Sequence, residues 1–217
     1  MAIVRGLKDI AALVDKPKYD TSGSKVRWLK LADGQSVKVR FVEELDEDSA
    51  NYNEARGLAL VVSEHTNPKD YKRKAVDTMD TEGRDWAEEM HRKDMKAGWR
   101  ARLRFYCNVL IDDGIEPPYV AIWSMGVSKQ SSFNAIREYA LETGSISNVP
   151  WKMKRNGQGT ETSYTLFPGT PDKEPFDWGT HEPFPLEKAL NKIPYVDQES
   201  FYLGFDTPVS ASKNADW

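Results

Sequence analysis

Four stretches of the sequence set an aromatic ring beside a group of cations. Tyr71 precedes Lys72-Arg73-Lys74, Trp99 precedes Arg100, Tyr106 shares an alternating run with Arg102 and Arg104, and Trp151 precedes Lys152, with Lys154 and Arg155 just beyond. A groove of cations pairs with phosphates, and exposed rings stack on unpaired bases at about 1–3 kcal/mol per base whatever the sequence; together these are the ingredients of single-strand nucleic-acid binding. Arg40 and Trp123, from two further apolar runs, join the candidate set. Each group also has a plainer reading, since a Trp is usually a core or boundary residue and a cationic run is usually a solvated face. The strand face shared by Arg102, Arg104 and Tyr106 carries the binding reading furthest.

Catalytic chemistry finds less support. The chain has no P-loop, GxSxG, HExxH or CxxC pattern. Asp77, Asp80, Glu82, Asp85, Glu88 and Glu89 could hold magnesium as a nuclease would, but they are interleaved with cations and read more simply as a solvated helix. His65, His91 and His181 are far apart, and Cys107, the one cysteine, lies in the apolar run "RFYCNVLI", which suits a buried core residue and excludes an internal disulfide framework or a Cys-rich zinc module. No catalytic residue, metal or cofactor is expected.

Alternation of apolar and polar residues supplies the elements that must hold these side chains. "QSVKVRFV" (35–42) turns Val37, Val39 and Phe41 one way and Lys38 and Arg40 the other; "RGLALVVSE" (56–64) reads as a second strand. "RLRFYCNVLI" (102–111) puts Leu103, Phe105, Cys107 and Val109 on a core face, with Arg102, Arg104, Tyr106 and Asn108 on a face open to an anion. A "DDG" turn then leads into "PYVAIWSM" (118–125). "SKQSSFNAIREYALETG" (128–144) has helix period, with Phe133, Ile136, Ala140 and Leu141 as a stripe and Gly144 as its stop. "TSYTLFP" (162–168) is the last strand, and "KRNGQG" before it reads as a cationic flap whose two ends, from Trp151 and from Tyr164, are anchored as strands. Gly157 and Gly159 would let that flap turn and approach a ligand closely.

Five short strands with a helix between the fourth and fifth make the expected fold mainly β, a Greek-key barrel of the oligonucleotide-binding (OB) kind. A long polar stretch, about residues 65–98, is a partly helical insertion in it. The expected organisation is an N-terminal segment (1–25), an OB-fold single-stranded-DNA-binding domain (26–170), and an acidic-leaning C-terminal region and tail (171–217), with a short helix near "PLEKALNKI" and a loosely held end. The 217 residues carry a net charge of −4, but a basic middle lies between acidic stretches, so the net value does not argue against a polyanion. No apolar run approaches the ~20 residues of a membrane span, and the N-terminus has no signal-peptide core. A cytoplasmic protein is expected.

Three pieces, "VRWLKLADGQSVKVRFV", "WRARLRFYCNVLIDDG" and "WKMKRNGQGTETSYTLFP", resemble bacteriophage single-stranded-DNA-binding proteins of the group that includes the T-even phage helix-destabilising protein. Together they span roughly 26–168. The resemblance implies an OB barrel that coats single-stranded DNA, without strong sequence preference, during phage replication, recombination and repair in the infected host. It also implies a zinc subdomain held by one His and three Cys. At similar spacing this chain has His65, Thr78, Glu88 and His91, so loss of the metal is expected, with Met79, Trp86, Met90 and Met95 packing in its place. An acidic tail that recruits replication or recombination proteins is implied too; the chain closes in "NADW". A basic N-terminal segment would serve cooperative binding, or else be a docking helix. The competing readings are a metal-dependent nuclease built on the acidic insertion, and a virion or adaptor protein on a similar barrel.

Overall fold

The computed structural model describes residues 26–205 apart from positions 116, 175 and 180. The proposed N-terminal binding segment and the acidic-aromatic end therefore lie outside the described residues.

Among the described residues seven strands form one antiparallel sheet: β1 (Ser36–Phe41), β2 (Leu60–Asn67), β3 (Asp70–Val76), β4 (Arg102–Asp112), β5 (Tyr119–Gly126), β6 (Trp151–Asn156) and β7 (Ser163–Pro168). The fold is mainly β, as the alternation predicts, but with two strands more than the five expected. β3 belongs to the stretch taken for a partly helical insertion, which therefore opens with a hairpin and places His65 inside β2. β6 is the first arm of the "KRNGQG" hairpin, paired with β7 from Trp151 opposite Pro168 to Asn156 opposite Ser163.

β4 is the spine of the sheet. Its first half pairs with β2 and its second half with β1 along one edge, while β5 runs along the other edge from Arg104 opposite Gly126 to Ile111 opposite Tyr119. β1 in turn pairs with β6. The segment leading into β1 bridges to β5 at Trp28 and Ile122. The sheet thus wraps one core, made of every second residue: Val37, Val39 and Phe41 of β1, Phe105, Cys107 and Val109 of β4, Ala121 and Trp123 of β5, Trp151 and Met153 of β6. One end of this core is closed by α3 (Phe133–Thr143), through Ile136 and through ring contacts of Phe133 with Phe105 and Tyr139 with Trp151. The helix ends at Gly144, whose φ of 77° is the left-handed conformation that favours glycine. Leu141, expected in the buried stripe, instead faces solvent.

Two short helices follow β3: α1 (Met79–Glu82) and α2 (Trp86–Lys93), the second capped by Asp85, whose carboxylate accepts the Glu88 N–H. The C-terminal stretch, expected to be loose, is packed. α4 (Tyr195–Leu203) lays the fully buried Tyr202 and Ile193 ahead of it against Ala75, Trp86 and Ala87, with Trp99 and Met90 at the margin. Of the side chains expected to pack this region in place of a metal, Trp86 and Met90 do so and Met95 is exposed. No helix of the described residues is long and apolar enough to cross a membrane.

Candidate nucleic-acid interface

Residues opposite each other in a sheet share a face. Along β3, β2 and β4 the register sets Lys74 opposite Thr66, Glu64 opposite Arg102, and Val62 opposite Arg104. Lys72, two residues back along β3, shares the face of Lys74. Four of the candidate cations, Lys72, Lys74, Arg102 and Arg104, therefore stand on one side of three adjacent strands, the side turned away from the core. Glu64 lies among them, opposite Arg102.

One of the four cations, Lys74, is itself buried and belongs to a polar lattice with Glu64 and Tyr106. Glu64 accepts a short hydrogen bond from the Tyr106 hydroxyl, and the Lys74 ammonium donates to the same hydroxyl at 3.1 Å while lying 3.9 Å from Glu64. Burial lowers the Lys74 pKa to about 8, against the pull of Glu64 and with a further push from Arg104. Burial, with the Glu64 charge, raises the Tyr106 hydroxyl far above its ordinary range. Arg104 donates to the Ser124 hydroxyl at 3.3 Å. Arg100 and Arg102 are exposed.

A second basic row lies on the same side of the sheet. Lys38 stands between Asp112 and Lys152, Phe167 stands opposite Lys152, and Lys154 stands between Ser36 and Thr165. Lys152, Lys154 and Phe167 are exposed, and Lys38 reaches Asp112 at 3.6 Å. Between the two rows the face is covered, contrary to the expectation of an open anion surface along all of β4. Asn108 is fully buried and exchanges hydrogen bonds with the backbone N–H and C=O of Phe184, and Leu186 packs on Tyr106 and Ile122.

The other candidates fall elsewhere, for physical reasons. Trp123 and Trp151 are core residues at 1% exposure, and the Trp151 indole donates to the Ile146 carbonyl, so neither ring is available for stacking. Tyr106 is equally enclosed. Arg40 is buried, paired with Asp172 at 2.7 Å, bonded to the Ser147 carbonyl and covered by the Phe176 ring. Arg73 donates to the Phe201 carbonyl and pairs with Asp70, which anchors α4. Arg155 donates to the Leu31 carbonyl and the Thr162 hydroxyl, joining the hairpin to the entry of β1. Trp99 packs edge-on against Trp86 and Tyr202. Tyr71 is 69% exposed but alternates to the face opposite Lys72 and Lys74. Gly157 serves the hairpin itself: at φ 79°, a Cβ there would lie 2.5 Å from the Glu161 carbonyl oxygen.

Three side chains beside the basic rows were not among the candidates. Trp28 lies edge-on to Tyr106 with the Lys74 ammonium 6.0 Å from its ring. Lys38 and Phe167 flank Lys152. The alternation of "SVKVRF" and "SYTLFP" was the signal available for the last two.

The donor set implied for a zinc subdomain does not assemble. Glu88 pairs with Arg92 at 2.9 Å, and the Thr78 hydroxyl bonds to the Arg84 carbonyl. Of the six acids offered for a nuclease, Glu82 accepts the Tyr195 N–H, Glu89 accepts the Tyr195 hydroxyl and Glu88 pairs with Arg92, while Asp77 and Asp85 come together. Among the described residues the carboxylates and histidine that meet closely enough to share an ion are His65, Asp77 and Asp85.

No protein-family model matches the chain, and no curated protein matches it.

Proposed function

We propose that this chain is a single-stranded-DNA-binding protein of the bacteriophage type, acting stoichiometrically rather than as an enzyme. The observation that carries the reading is the alignment of Lys72, Lys74, Arg102 and Arg104 across β3, β2 and β4. Cations spaced along one sheet face suit a phosphate backbone that crosses the strands, and the second row of Lys38, Lys152 and Lys154 extends the track. Trp28 and Phe167, one at each row, are the rings that would meet bases, in place of Trp123 and Trp151. The wrapped sheet, its helix between β5 and β6, and the pairing of β1 with both β4 and β6 support an OB barrel as its architecture. Function in replication, recombination and repair follows from the resemblance of 26–168 to the phage group.

Titration with oligothymidine and with duplex DNA, followed by intrinsic tryptophan fluorescence, tests the proposal. Trp28 makes the experiment informative, because it lies beside the cationic face. Quenching by the single strand at lower concentration than by the duplex is expected. Equal response to both, or no response at low salt, would overturn the reading, and metal-dependent shortening of the oligonucleotide would favour the nuclease.

A further inference from the structure

On the opposite side of the β2–β3 hairpin from the cations, His65 is fully buried with its ring aimed at two carboxylates. Its Nδ1 lies 2.6 Å from the Trp99 carbonyl oxygen, which can only accept, so Nδ1 carries a proton. Its Nε2 faces Asp85 Oδ1 at 3.5 Å and Asp77 Oδ2 at 3.7 Å and has no hydrogen-bond partner among the described residues. In the neutral ring a bare lone pair would point at two anionic oxygens inside the protein, an arrangement that costs free energy unless a positive charge sits between them.

We propose that His65 Nε2, Asp77 and Asp85 form a binding site for a divalent transition-metal ion, with Zn²⁺ the best fit. Ligands about 2.0–2.1 Å from a tetrahedral zinc stand roughly 3.4 Å apart, close to the separations found. One imidazole and two carboxylates favour zinc over magnesium or calcium, which take oxygen ligands. Each donor is already oriented by an outer partner, as metal ligands are. The Trp99 carbonyl holds the ring. The Glu88 and Thr78 N–H groups and the Gln198 amide hold Asp85, while the Met79 N–H and the Ser63 hydroxyl hold Asp77. A water would complete the fourth position. The ion would tie β2 to the turn after β3 and to the cap of α2, and through Gln198 to α4.

The test uses the full chain, stripped with EDTA and titrated with ZnCl₂ by calorimetry, alongside metal analysis of protein purified without chelator. One equivalent of zinc and a rise in Tm on its addition are expected. Asp77→Asn, at a partly exposed position, should fold and lose affinity by at least about tenfold; Asp85→Asn keeps a capping side chain and should do the same. No zinc uptake by the native chain would overturn the site. Uptake and Tm shift unchanged in Asp77→Asn would overturn it equally, by locating the metal elsewhere.

Discussion

Lys74 is held between two demands, since burial favours its neutral form and Glu64 its charged one; the outcome is a pKa of about 8. The depressed value means that the cost of burying the charge applies in full below pH 8 and is relieved as pH rises from 8 towards 10.5. Relative to Lys74→Met, the native chain should therefore gain stability over that window, on the order of 3 kcal/mol, in denaturant titrations at stepped pH. If the proposed binding to DNA holds, any contribution of Lys74 to it should fall over the same interval. Glu43 shows the converse: burial outweighs its bonds from Asn108 and Cys107 and raises its pKa to about 7. Its contribution is fully present below pH 4.5 and lost as pH rises to about 7, so the stability difference between the native chain and Glu43→Gln should drop across that range and be flat above it. Neighbours in the loop hairpin should separate in the same way. Lys154→Ala should leave Tm unchanged, whereas Arg155→Ala, which frees the Leu31 carbonyl and the Thr162 hydroxyl, should destabilise by about 1–3 kcal/mol in thermal unfolding.

At the scale of elements, alternation was legible wherever a strand has one wet face. "SVKVRF" and "RLRFYCNV" announce their core sides, and Gly144 announces the end of α3. Adjacency in sequence misled where the pairing was i to i+1, because a strand sends Trp151 and Lys152, or Tyr71 and Lys72, to opposite faces. What covers a strand was also hidden. Phe184 reaches Asn108 and Tyr202 reaches Ala75 from far along the chain, and nothing local in "RFYCN" or "KRKAV" records such partners. α4 is the clearest case: where a loosely held end is expected, it completes the cluster around Trp86 and Trp99. Ending the chain after Pro194 should expose that cluster, lower Tm and increase cleavage within 77–100 in limited proteolysis, while a chain ending after Phe205 should retain native resistance.

For the whole molecule, the sheet divides into a dry interior and an outer face that carries two cationic rows with a covered middle. Such a division suits a ligand that is long, negatively charged and read without base specificity. The central claim is that Lys72, Arg102 and Arg104, aligned with the buried Lys74, act together on a phosphate backbone. The slope of log K against log salt for oligothymidine tests it most directly, compared between the native chain and the Arg102→Ala/Arg104→Ala variant. Each lost phosphate contact removes about 0.7 from a single-strand slope. The account predicts a native slope that shrinks by about 1.4 in the variant, with unchanged Tm. A slope near zero in the native chain, or an identical slope in both, would contradict it.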